Sequence, residues 1–220
     1  MSDVRHLRPE TDQPLPHDEA ACRRIERWAL VAGVTGCTAN ALLLALWSVA
    51  LPGNHAYDWT GPANDVVGAV SAMAMIPMSL GVRDLLGRPG RLPLLTRALV
   101  LGNCALTGAS ALLVVDLIRF EVQAVVAIPA IAAEFAWLRA AGRWGRLTQR
   151  LPSRLTRAAE VSGTAALVAL PLAGVAALAP AGSPVQYLLG GAAAALGLSA
   201  FVAFPIWQTA LSRHMSRRSP

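Results

Sequence analysis

One carboxylate, Glu134, stands in the stretch Ala127–Arg139 (AIPAIAAEFAWLR), which otherwise reads as lipid-buried helix. An acidic residue at the centre of a membrane helix costs about 2.5 to 3.5 kcal/mol on insertion scales, so its presence needs a reason. Two chemistries fit. A neutral carboxylic acid can protonate a lipophilic substrate, and a carboxyl that loads and unloads a proton can drive a carrier. Glu134 lies five residues before Arg139, about 7.5 Å of helical rise from the basic edge, which places it in the inner half of the span. Hydrocarbon disfavours the ionised form there, and the proton-donating acid is the expected species. The structural alternative is an ion pair with Arg97 or snorkelling towards the interface.

Helical spacing assigns neighbours to this acid. Gln123, Ala127, Ala130, Trp137 and Leu138 share its face and form the expected pocket wall. The Trp137 ring is the aromatic surface that would steady a cation. Asp65, near the start of the second span, and Glu160, three residues after Arg157 and at similar depth in the fifth, are the candidate second acids. Asn40 continues a stripe of Gly33, Gly36 and Cys37, and Asn103 continues with Thr107 and Ser110. Asn40, Asn103 and Thr107 are thus candidate substrate contacts. Their alternative use is interhelical hydrogen bonding, at roughly 0.6 to 2 kcal/mol each. Asp84 beside Arg83 reads as a solvated charge, and Asp116, Arg119 and Glu121 as an interfacial ion-pair group.

Other chemistries lack their residues. The histidines His6, His17, His55 and His214 fall outside the apolar spans, so transmembrane haem ligation is not expected. There is no HExxH, no zinc-spaced His/Cys cluster, no DxxxD or DDxxD, no G-x-S-x-G and no Walker loop. Metal-dependent transfer, redox chemistry and ATP-driven transport are therefore not expected, and no cofactor is implied. Cys22, Cys37 and Cys104 form no CxxC and read as small packing residues.

The elements that must position these groups are membrane helices. The chain has 220 residues, 55% hydrophobic and 15% charged, too apolar to be hidden in one water-soluble core. Six segments of spanning length can be marked: Trp28–Leu51, Asn64–Val82, Leu94–Ile118, Val122–Ala140, Ala158–Leu178 and Val185–Leu211. The expected fold is an all-α, six-helix polytopic membrane protein, with a transmembrane domain over 28–211 and cytoplasmic tails over 1–27 and 212–220. Eighteen of the nineteen cations, all arginine, fall in the tails and the second and fourth loops, leaving Arg119 on the other face. By the positive-inside rule both termini are cytoplasmic.

The net charge of +6 is thus a topology signal attracted to anionic lipid, and nucleic acid is not an expected partner. Arginine-only, alanine-rich usage suggests a GC-rich bacterial genome and hence a plasma membrane. The first loop sets His55, Tyr57, Asp58 and Trp59 at interfacial depth, as a belt or an outer lid. Pro77, Pro129 and Pro205 each remove a backbone donor, so the second, fourth and sixth helices should kink or unwind around a cavity.

Ile131-Ala-Ala-Glu-Phe-Ala-Trp137 resembles the Ile-Ala-Trp-Glu-Phe motif of the integral-membrane terpene cyclases, which protonate a polyene or its epoxide without metal. The resemblance covers seven residues, with Ala133 where that motif has Trp. It implies that Glu134 is the proton donor. That family has seven helices, an early glutamate and a second acid on its last helix; here the glutamate is on the fourth of six, and Asp65 or Glu160 would have to substitute for the second acid. The expected function is a metal-independent, membrane-embedded enzyme acting on a hydrophobic, isoprenoid-like substrate. The alternatives are a proton-coupled carrier or exporter and a non-catalytic assembly or immunity subunit.

Overall fold

The computed structural model describes residues 16–50 and 59–218. Six α-helices follow one another: α1 (Pro16–Ala45, continued by a π-helical turn at Leu46–Ala50), α2 (Thr60–Leu85), α3 (Leu92–Val114), α4 (Phe120–Leu147), α5 (Ser153–Leu178) and α6 (Pro184–Ser216). All six contain a stretch long and apolar enough to cross a membrane, and the chain is a multi-pass helical membrane protein. His55, Tyr57 and Asp58 lie outside the described residues; Trp59 immediately precedes α2 and is exposed.

Each helix packs on its neighbours in sequence, and α1 packs on α6, so the six close into a ring. The start of α1 and the finish of α6 lie at one end, here called the basic end, where the Ser212 hydroxyl donates to the Glu26 carbonyl at 2.7 Å. The helices run past the apolar windows, and the tails expected from hydropathy are partly helical. Backbone hydrogen bonding does not stop where lipid stops: Ile25 and Met215 are fully buried in these extensions, and His214 falls inside α6. Glu134 is the fifteenth of 28 residues in α4, close to the midpoint of the helix.

Lipid is as apolar as a core, so close packing and hydrogen bonds hold such a bundle more than hydrophobic burial does. The α4/α5 contact shows this. A Cβ on Gly142 would lie 2.7 Å from the Thr156 carbonyl, and one on Gly163 would lie 2.7 Å from the Phe135 carbonyl. The two glycines face each other's helix in reciprocal register, seven residues apart on each side. Only hydrogen fits at either point.

The centre of the basic half is closely packed: Met78, Leu99, Trp137, Leu138 and Leu211 are all buried, and Trp137 and Trp207 meet edge to face at 6.4 Å. Trp207 Nε1 donates to the Leu155 carbonyl at 3.0 Å, tying α6 to the first turn of α5. Asp84 is not a merely solvated charge. It lies 2.8 Å from Arg83, 3.2 Å from Arg88 and 3.7 Å from Arg24, joining α1 to α2 and the loop that follows.

The prolines do not unwind their helices. α2, α4 and α6 stay helical through Pro77, Pro129 and Pro205, and α5 holds Pro171 as well. For Pro205 the reason is visible. The carbonyl it orphans, four residues back at Phe201, accepts from Asn40 Nδ2 at 2.9 Å. A side chain from α1 replaces the missing backbone donor, and no unwinding is needed.

Gly163→Ala should lower stability by about 1 to 3 kcal/mol by forcing α4 and α5 apart. Gly174→Ala, whose Cβ meets nothing within 4 Å, should leave stability unchanged. Thermal unfolding of the two variants in detergent checks the contrast.

Candidate functional site

In the other half of the bundle the helices part around a cavity of about 350 Å³. α1, α2, α3, α4 and α6 contribute to its wall, and α5 stands behind α4 and α6 as a brace. Its lining runs from Asn64, Asp65 and Phe120, at the helix ends away from the basic end, to Glu134 and Gln208 at mid-depth. Beyond those two side chains lies the closely packed core. Most of the wall is small or apolar: Gly36, Ala39, Gly68, Ala124, Ala127 and Ile131 leave the space, and Phe201 and Phe204 give it two aromatic faces.

Glu134 keeps its remaining exposure towards this cavity. Among the described residues its carboxyl makes no ion pair and no protein hydrogen bond of standard geometry, and Arg97 is exposed, so the alternative of an Arg97 pair is not formed. The Asn103 amide on α3 faces the carboxyl, yet both its oxygen and its nitrogen are buried and without a hydrogen-bond partner. Two polar groups that the protein brings together and does not satisfy stand ready for a third one. In a bilayer such groups are costly unless a ligand or water completes them.

The second acids separate. Asp65 lines the same cavity at its far end, where the Gln123 amide donates to its carboxylate at 3.2 Å and to the Ser110 hydroxyl at 3.0 Å. Gln123 lies eleven residues from Glu134, about 16 Å of rise, so Asp65 and Glu134 share a cavity without forming a dyad. Glu160 is at the basic end, paired with Arg146 at 3.0 Å. Its backbone nitrogen lies against Gly142, two turns from Glu134 and about 12 Å deeper, so its expected equal depth is corrected. It does not line the cavity.

The expected contacts divide likewise. Asn40 reaches the cavity wall while its amide serves the Phe201 carbonyl. Thr107 faces a separate apolar groove between α2 and α3, its hydroxyl buried and unpartnered. Trp137 is fully buried in the core and donates to Thr96 Oγ1 at 3.2 Å, so it is no part of the wall. Ala130 and Leu138 are buried too, whereas Gln123 and Ala127 do line the cavity.

The aromatic wall is instead on α6. Phe201 and Phe204 pack against Phe135 with ring centres 5.5 and 5.4 Å apart, and Gln208 donates to the Met75 sulfur at 2.7 Å. The sequence signal was a run of Phe201, Phe204, Pro205 and Gln208 on one helical face. Asp116, Arg119 and Glu121 are exposed and unpaired, as charges free to reach water.

No known protein family, curated protein or solved structure matches the chain.

Asn40 and Asn103 should respond unequally to removal. Asn40→Leu leaves the Phe201 carbonyl orphaned and should cost about 1 to 2 kcal/mol. Asn103→Leu breaks no hydrogen bond of standard geometry, only the approach to Glu134, and should cost clearly less. Unfolding midpoints of both variants test this; a loss for Asn103→Leu matching that for Asn40→Leu would contradict the site geometry.

Proposed function

We propose that the chain is a membrane-embedded, metal-independent acid catalyst acting on a small hydrophobic, isoprenoid-like substrate. The observation that carries this is the unpaired Glu134 carboxyl facing an aromatic-walled cavity. About 350 Å³ is at the small end of ligand sites and suits a short branched chain. Glu134 would transfer its proton to an alkene or epoxide carbon or oxygen, generating a cation between the faces of Phe201 and Phe204. Ring closure moves the cation, and loss of a proton to the Glu134 carboxylate restores the acid. The balance is an isomerisation, needing neither metal nor cofactor. Asn103 would hold the carboxyl in position, and Asp65 would stay at the mouth.

The resemblance of Ile131–Trp137 to the membrane terpene cyclases supports the same role for Glu134. The arginine distribution supports cytoplasmic termini, and the composition a bacterial plasma membrane.

A second reading has its own support. The cavity stops at Glu134 against the closely packed core, and access from one side only is what a proton-coupled carrier needs, with Glu134 exchanging its proton as the cavity changes sides. An assembly subunit would depend on no single cavity residue.

Expression of the wild type and Glu134→Gln at matched levels in an isoprenoid-overproducing host separates these readings. The expected result is a cyclised product with the wild type, reduced at least about a hundredfold in the variant. Export of unchanged substrate that collapses with the pH gradient would favour the carrier. Identical apolar metabolite profiles, with both proteins folded, would remove the catalyst.

A further inference from the structure

At the basic end, an open groove runs along the seam between α1 and α6. Five arginines border it, Arg23, Arg24 and Arg27 from α1 and Arg213 and Arg217 from α6, with the one acidic residue Glu26; Arg23 and Arg24 have carboxylates of their own in Glu19 and Asp84, which leaves Arg27, Arg213 and Arg217 as its uncompensated cations. The other side of α1 shows what a balanced cluster looks like, since Arg24, Arg83 and Arg88 converge there on Asp84. In the groove the balance is missing. Arg23 has only an exposed contact to Glu19 at 3.6 Å, and Arg27, Arg213 and Arg217 form no ion pair among the described residues. Glu26 does not neutralise them; its backbone carbonyl instead accepts from Ser212, fixing the groove floor.

The position of the groove says which anion fits. Arg27 and Arg213 sit just outside the apolar stretches of α1 and α6, where a bilayer places its phosphates. The groove continues towards the lipid side along Trp28 and Leu30, the latter exposed, and Ser216 adds a hydroxyl donor at the rim. Planar guanidiniums from two helices suit the paired oxygens of a phosphate, and the apolar edge suits acyl chains leaving it.

We propose that the α1/α6 groove binds the phosphate of an anionic phospholipid headgroup, with its chains lying against Trp28 and Leu30. The lipid would bridge the first and last helices where the ring closes. A lipid with no net charge would gain less from the three unpaired cations, and a free phosphate would lack the apolar edge.

The test uses the full-length protein in detergent, with phosphatidylglycerol, phosphatidylcholine of the same chains, or inorganic phosphate as probe. Native mass spectrometry and thermal unfolding read the result. Phosphatidylglycerol is expected to be retained and to raise the unfolding midpoint, with the other two probes ineffective. Arg27→Gln/Arg213→Gln/Arg217→Gln should weaken retention about tenfold or more. Arg97→Gln/Arg154→Gln/Arg157→Gln, an equal charge change on exposed arginines at the same end, should not.

Should the triple groove variant fail to fold, Arg213→Gln alone and the charge-keeping Arg213→Lys supply the comparison, with weaker retention in both expected. Equal retention of the zwitterionic lipid, unaltered retention in the groove variants, or an equal loss in the control would overturn the proposal. Stabilisation by inorganic phosphate alone would assign the groove to a soluble phosphate instead.

Discussion

Glu134 has to be kept away from lipid and, at the same time, away from every cation that would neutralise it. The far half of the bundle follows from those two demands. Arginines crowd the basic end, yet none pairs with Glu134 among the described residues: Arg97 and Arg139 are exposed, and Arg146 is paired with Glu160. Five helices line the cavity, and the ring closes where α1 meets α6.

The packing that permits this is a matter of small residues at chosen points. α4 must be held firmly, since it carries Glu134, and the glycine contacts with α5 hold it on the side away from the cavity. α6 must present two phenylalanines to the cavity across a proline, and Asn40 repairs the hydrogen bond that the proline removes. The hydrogen bond from Trp207 to Leu155 and the Trp137–Trp207 contact then seal the base. Structural and site roles are therefore shared by the same helices, and at Asn40 by the same residue.

How much of this was legible in the sequence depended on whether the signal was local. Six helices could be read because a span is a continuous apolar run, and Glu134 because one charge in such a run is conspicuous. Asp65 was found as a polar residue at a helix start, and its place in the cavity follows from the ring. Trp137 was misplaced because three residues along a helix is still roughly the same face, and contacts with Thr96 and Trp207 decide between wall and core. Glu160 was set at the wrong depth because apolar windows understate how far α4 and α5 extend. Phe201, Phe204 and Gln208 were missed altogether, since only the convergence of α6 on α4 gives them a role. Asn103 was legible as a polar residue in a span, but its lack of any partner is a property of three dimensions.

Every role proposed for Glu134 requires that it face a cavity reached from the side opposite the termini. The most direct measurement is thiol accessibility of Glu134→Cys, with Cys22, Cys37 and Cys104 replaced by alanine, using a small membrane-impermeant thiosulfonate applied to either side of sealed vesicles. Labelling from the side opposite the termini, blocked by a competing apolar ligand, is the expected result. A folded protein that labels from neither side, or only from the side of the termini, would contradict it.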